Sequence, residues 1–176
     1  MYNLLHIELA DSVTGEEKPQ ELMLPPNQWS CMRKLDFDHF DLGNLSCDVI
    51  ALPGHTKGSV GIFIPRLRLL LSGDALTPVM CLNFENHLSR REQRRTLKQV
   101  CGLDFDYYLT SHHERAFPKA ILNRMLDCVE KSENGRFYRY QYPNPPYARG
   151  WMYVGSIGDE PVAVVISEEE KQGSSE

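Results

Sequence analysis

Three short segments place side chains that can bind metal directly after apolar stretches. His55 lies in Pro-Gly-His-Thr-Lys-Gly-Ser, between glycines that allow a tight backbone turn. Asp74 follows the run Leu-Leu-Leu, in the segment Ser-Gly-Asp-Ala, and His112 and His113 end a third apolar stretch, in Thr-Ser-His-His-Glu. Two imidazoles and a carboxylate form a mixed nitrogen and oxygen set, which suits Zn²⁺ and also Fe or Mn.

Each segment taken alone is more typical of a structural role. A single histidine at the end of a strand usually makes a structural hydrogen bond, and a Gly-Asp pair after a strand is usually a turn. The occurrence of all three segments in this order, with these flanking residues, favours a common site.

The three segments resemble the later motifs of the metallo-β-lactamase superfamily. Those motifs are a PGHTxGS turn, a strand that ends in SGDA or TGDA, and a further strand that ends in a GH-type turn before a helix. The chain has them at 53–59, 72–75 and 111–112, and the resemblance covers about residues 37–166. It implies an α/β fold, an α+β sandwich in which this chain supplies the C-terminal part of an αββα arrangement with mixed sheets.

The resemblance also implies roles for the candidate residues. His55 would bind the first metal of a binuclear zinc site, Asp74 would bridge both metals, and His112 would bind the second. His113 stands where the family often has glycine, so it is a further candidate, either as a ligand or as a residue that supports one. Family members hydrolyse β-lactams, thioesters or phosphodiesters, and the sequence does not select among these small-molecule substrates.

The family's HxHxDH motif, which should precede the first turn by some tens of residues, is missing from the sequence. The only histidines before His55 are His6 and His39. The segment from Asp36 to Asp41 contains Asp-x-Asp-His, but it lies close to His55 on a strand that leads into that turn. Its alternation is a plain strand pattern, so we do not expect it to replace the missing motif.

The missing motif leaves two protein ligands per metal, whereas catalytic zinc usually keeps three. We therefore expect the chain alone to bind zinc weakly or not at all and to hydrolyse little. An incomplete sandwich would also expose an apolar sheet face and a strand edge. The expected partner is a second copy of the chain or a complementing N-terminal segment. The alternative is a non-catalytic remnant or interaction module that keeps only the fold.

Composition narrows the class of protein. The 176 residues carry a net charge of −5, which disfavours nucleic acid as the partner. One arginine-rich run, at 89–98, suits the solvated face of a helix. Five cysteines without a CxxC pair indicate a reducing compartment, and no apolar stretch approaches the length of a membrane span. The sequence predicts a cytoplasmic protein that contacts neither membrane nor nucleic acid.

Periodicity predicts the elements that position the candidate site. Helices are expected at 89–100, with Ser89 as N-cap, and at 118–131, with Pro118 in the first turn. Further expected strands are listed by residue number: 4–9, 21–24, 35–40, 45–52, 59–64, 67–71, 105–110, 136–142, 151–154 and 161–166. The predicted organisation is an N-terminal hairpin or irregular segment at 1–34, an incomplete metallo-β-lactamase-like domain at 35–166, and a disordered acidic tail at 167–176.

Overall fold

The computed structural model describes residues 38–142 and 149–173, which form ten strands and three α-helices. The predicted segment 1–34, with its two strands, lies outside the described residues. In chain order the elements are β1 (His39–Asp41), β2 (Ser46–Ala51), β3 (Val60–Ile64), β4 (Leu69–Leu71), β5 (Val79–Leu82), α1 (Arg90–Cys101), β6 (Tyr107–Leu109), β7 (Phe117–Pro118), α2 (Ala120–Ser132), β8 (Tyr138–Gln141), β9 (Arg149–Ser156), β10 (Val162–Ile166) and α3 (Glu168–Gly173).

The strands form two mixed sheets. The first has the order β1-β2-β3-β4-β6-β7, antiparallel except where β4 pairs with β6 in parallel. The second has the order β5-β10-β9-β8, with β5 parallel to β10. Two mixed sheets with helices confirm the predicted mixed α/β class and are consistent with the α+β sandwich that the resemblance implies.

One apolar core joins the two sheets and the two longer helices. Leu70 and Tyr108 of the first sheet, Val164 of the second, Leu97 of α1 and Leu122 of α2 are all fully buried in one cluster. The core is continuous, so a change at a sheet or a helix is transmitted to its neighbours because interiors are close-packed. None of the helices in the described part of the chain is long and apolar enough to cross a membrane.

The two predicted helices form close to their expected bounds. The Ser89 side chain accepts a hydrogen bond from the Glu92 amide, which confirms Ser89 as the N-cap of α1. The first turn of α2 was predicted wrongly, because Pro118 instead ends the short strand β7 and pairs with Tyr107. A proline can occupy this position because an edge strand leaves its missing amide hydrogen unused.

The arginine-rich run is solvated only in part. Arg91 and Arg95 are exposed as predicted, but Arg90 is buried at 8% exposure. Its guanidinium donates to Glu170 of α3 at 2.8 Å and to the Ser132 carbonyl at 3.0 Å. The same contacts explain why 168–173 form a helix, so the prediction of a disordered tail was wrong for these residues. The Glu170 carboxylate of α3 pairs with a cation that is distant in sequence, and local composition cannot predict such a pair.

The start of β6 is held by Arg68, which lies in the left-handed region at φ 49°. Its guanidinium donates to Asp104 and Asp106 at 2.7–2.9 Å. These hydrogen bonds hold the pKa of both carboxyls below their usual value. A depressed folded pKa adds stability above the unfolded value of about 3.9, and that stability is lost as pH falls through the folded pKa.

Arg68→Met should therefore lower the urea midpoint at about pH 7, and its difference from the wild type should vanish at about pH 2, where both carboxyls are protonated. Arg66→Met is the matched control, because Arg66 donates to the Asn44 carbonyl and pairs with no carboxylate of residues 38–142 and 149–173. A difference for Arg68→Met that persists unchanged at about pH 2 would contradict this account.

Candidate active site

The topology brings the ends of three strands to one edge of the first sheet. β2 and β4 each pair antiparallel with β3, and β4 pairs parallel with β6, so all three run in the same direction. His55, Asp74 and His112 follow β2, β4 and β6 respectively. The carboxyl ends of strands that run in one direction lie at one edge of a sheet, where α/β proteins gather their ligands. The sequence pattern of a strand followed by a polar turn therefore places three separate segments together.

Asp74 is the centre of the candidate site. Its Oδ2 lies 3.1 Å from His112 Nε2 and 4.0 Å from His55 Nε2. The side chains of Asp74 and His55 are 9% and 15% exposed, whereas His112 is half exposed. Two imidazoles thus approach a single carboxylate oxygen, with one side of the arrangement open to solvent.

A backbone carbonyl fixes the orientation of His55. His55 Nδ1 lies 2.8 Å from the Cys81 carbonyl of β5. A carbonyl only accepts hydrogen bonds, so Nδ1 carries the hydrogen and the neutral ring keeps its lone pair on Nε2, the atom nearest Asp74. Metal-binding histidines almost always donate their other ring nitrogen in this way. Edge-on contact with the Phe84 ring, at 5.6 Å between centroids, holds the imidazole from the side.

Cys81 contributes its backbone to the site rather than a thiolate. Burial raises the pKa of the Cys81 thiol to about 12, and the negative charge of Asp74 adds to the shift. The thiol is therefore protonated at neutral pH in the metal-free protein.

His112 and His113 have different surroundings. His113 Nδ1 lies 2.7 Å from Thr110 Oγ1, and its ring meets Phe117 edge-on at 4.8 Å. Burial, with the neighbouring His112 and Arg115, lowers the pKa of His113, which keeps the ring neutral at pH values where an exposed histidine is charged. The contacts of His113 are those of a residue that holds the turn, while His112 directs Nε2 at Asp74.

The three candidate residues fit one part of a metal site. Nitrogen and oxygen donors converge, and the His55 tautomer is the one that a ligand requires. Within residues 38–142 and 149–173, however, no group of three or more His, Cys, Asp or Glu is arranged to hold a metal ion. His39, the histidine of the Asp-x-Asp-His segment, instead pairs with Asp48 at 2.8 Å on β1 and β2.

Sequence reasoning missed the residues that hold the turns together. Gln93 of α1 donates through Nε2 to the Ala75 carbonyl at 3.1 Å, and Thr96 Oγ1 donates to the Pro53 carbonyl at 2.5 Å. Both side chains are nearly fully buried. The sequence signal for the Gln93 contact was Gly54, because a residue without a side chain leaves room for the Gln93 amide.

A cleft of about 460 Å³ lies beside Phe84, whose ring contacts His55. Lys57, which follows the His55 turn, and Phe84 both line it, together with Asn83, His87, Arg149 and Glu169. Phe84 also contacts the Tyr142 ring at 5.8 Å. Tyr142 thus contacts the same ring that contacts His55.

Comparison with protein-family models and with curated proteins found no match. Solved structures do match. A metallo-β-lactamase family protein from Thermus thermophilus is 15% identical, with 76% of this chain and 46% of that structure covered and a TM-score of 0.48. ETHE1 from Myxococcus xanthus is 24% identical, with 53% and 44% covered and a TM-score of 0.44.

A metallo-β-lactamase from Pontibacter korlensis is 14% identical, with 70% of this chain and 54% of that structure covered and a TM-score of 0.47. All three are metallo-β-lactamase superfamily structures. The chain spans about half the length of the structures that it matches.

Proposed function

We propose that this chain carries one part of the active site of a metal-dependent hydrolase of the metallo-β-lactamase superfamily. The observation that carries the proposal is the convergence of His55 Nε2 and His112 Nε2 on Asp74 Oδ2, at 4.0 Å and 3.1 Å. His55, Asp74 and His112 would hold zinc, or iron or manganese, with Asp74 shared between two ions. When bound, such ions lower the pKa of a coordinated water and polarise the scissile bond.

The chain's own residues prepare this site before any ligand binds. The Cys81 carbonyl selects the His55 tautomer, and burial of the Asp74 carboxylate strengthens its interaction with cations because the local dielectric is low. The cleft lined by Phe84, whose ring contacts His55, offers space for a small-molecule substrate. These features support binding and orientation rather than a particular choice of substrate.

His55, Asp74 and His112 do not complete a two-metal site by themselves. Three residues divided between two metals give two protein ligands to each, below the usual three. We propose that a second copy of the chain, or a segment that complements this one, supplies the other donors. Activity would then depend on assembly.

The decisive experiment measures metal content and molecular mass on the same size-exclusion peak, by elemental analysis and light scattering. We expect about one or two metals per chain in a species larger than the monomer. His55→Ala and Asp74→Ala should remove the metal, whereas the control His39→Ala, on exposed β1, should retain it.

The alternative, a remnant that keeps the fold without its chemistry, makes the opposite prediction. A chain that stays metal-free in excess zinc, or whose metal is unaffected by both substitutions, would contradict the proposed hydrolase site.

A further inference from the structure

Gln93 occupies an unusual position within the arginine-rich run of α1. Its neighbours Glu92 and Arg94 are partly exposed, but Gln93 itself is 1% exposed. Its amide nitrogen donates to the carbonyl of Ala75, the residue that follows Asp74, at 3.1 Å. One end of this side chain is therefore attached to the turn that carries the shared carboxylate.

The other end of the amide rests on the turn that carries His55. A Cβ atom placed on Gly54 would lie 1.7 Å from Gln93 Oε1 and 2.8 Å from Gln93 Cδ. The amide thus lies directly against the glycine backbone, in space that any other residue would fill. Gln93 Oε1 has no hydrogen-bond partner among the described residues. Burying such an acceptor is unfavourable, so the site tolerates a cost for having an amide here.

Other contacts from the same region hold only one of the two turns. The Leu88 amide donates to the Gly54 carbonyl at 2.8 Å, and Thr96 Oγ1 donates to the Pro53 carbonyl. The first fixes the His55 turn to the segment before α1 and the second fixes it to α1. Gln93 contacts both turns through one buried side chain of α1.

We propose that Gln93 is a positioning residue that sets the separation of the His55 and Asp74 turns. The hydrogen bond from its amide to the Ala75 carbonyl fixes the Asp74 turn. Its contact with Gly54 sets how closely the His55 turn can approach the Asp74 turn. The consequence for metal affinity rests on the proposed function, whereas the effect on the geometry of the two turns does not.

The test replaces Gln93 by methionine in the full chain. Methionine has a similar length, so the variant keeps the side-chain volume and loses the hydrogen bond to the Ala75 carbonyl. Gln99→Met makes the same chemical change at an exposed position of α1. Val129→Ala, in the core on α2, lowers stability at a position outside both turns.

The first measurement uses metal-free protein and follows the imidazole ¹⁵N–¹H correlations of His55 and His112 and the backbone amide signal of Ala75. We expect Gln93→Met to shift or broaden these signals and to reduce the population of the His55 form that is protonated on Nδ1. Gln99→Met and Val129→Ala should leave them at their wild-type positions. Wild-type signals in Gln93→Met, or equal changes in Val129→Ala, would overturn the proposal.

The second measurement is zinc affinity in the assembled protein. Loss of a residue that supports metal ligands lowers affinity by about tenfold or more, and we expect this for Gln93→Met and not for either control. If the wild type binds no zinc, the proposed hydrolase fails and the imidazole spectra alone decide the role of Gln93. If the wild type binds zinc and Gln93→Met binds it equally well, the positioning role fails while the hydrolase stands.

Discussion

Replacing Gly54 by alanine is expected to destabilise the fold by about 3 kcal/mol, measured by urea unfolding. The new Cβ would lie 1.7 Å from Gln93 Oε1, a distance at which the amide must move. Movement breaks the bond to the Ala75 carbonyl and leaves a buried acceptor unsatisfied, in addition to the strain of overpacking. The glycine is needed here for close approach and not for a left-handed backbone.

The same turn offers a matched control. Gly58 has no atom within 4 Å of an added Cβ, so Gly58→Ala should change stability by less than about 1 kcal/mol. Equal losses at Gly54 and Gly58 would show that the turn, rather than the contact with Gln93, determines the cost.

A double-mutant cycle isolates the contact itself. In a Gln93→Ala background the amide is gone, and the nearest remaining Gln93 atom to the added Cβ is Cα at 3.6 Å, an ordinary contact distance. Gly54→Ala should then cost much less than it does in the wild type, with an interaction energy of about 1–2 kcal/mol. Losses that simply add would contradict a direct contact between residue 54 and the amide.

The strand ends at the candidate site were predictable from sequence for a topological reason. His55, Asp74 and His112 each follow an apolar strand, and strands that run in one direction deliver their C-terminal residues to one edge. The pattern therefore brought together residues separated by up to 57 positions (112 − 55). Their role as metal ligands remains a prediction.

The supports of the site were not predictable, because their sequence signals are weak. The carbonyl of Cys81 orients His55, and a backbone acceptor has no side-chain signature. The strand that carries it, Val79–Leu82, is a four-residue apolar run, too short for its periodicity to distinguish strand from helix. Gln93 stands among charged residues in a run whose spacing suits a solvated helix face.

The strength of the local sequence signal also explains why two helices were predicted and the third was not. α2 has a 3.6-residue apolar period, which locates its buried face from local sequence, and α1 has a clear start signal in the Ser89 N-cap. The acidic segment Glu168–Gly173 has no such face and is too short to be stable in isolation. It is helical because Glu168 and Glu170 meet Trp151 and Arg90, which are distant in sequence.

Arg90→Met should cost about 3 kcal/mol of stability, because it removes the guanidinium from a largely buried ion pair with Glu170. The side chains of Arg90 and Glu170 are 10% and 18% exposed, and their atoms lie 2.8 Å apart. The variant also loses the hydrogen bond that Arg90 donates to the Ser132 carbonyl at the end of α2. The measurement is urea unfolding, with hydrogen exchange of the α3 amides as a local readout.

Arg91→Met is the control, since it removes the same charge from the next, exposed position of α1 and should change stability by less than about 0.5 kcal/mol. Arg90 is the first residue of the helix that carries Gln93. The variant therefore also tests whether loss of the ion pair disturbs the candidate site. If the α3 amides exchange faster in Arg90→Met while the His55 imidazole signals stay unchanged, the ion pair stabilises α3 and does not affect the candidate site. Equal losses for Arg90→Met and Arg91→Met would mean that the buried pair contributes no more than a surface charge.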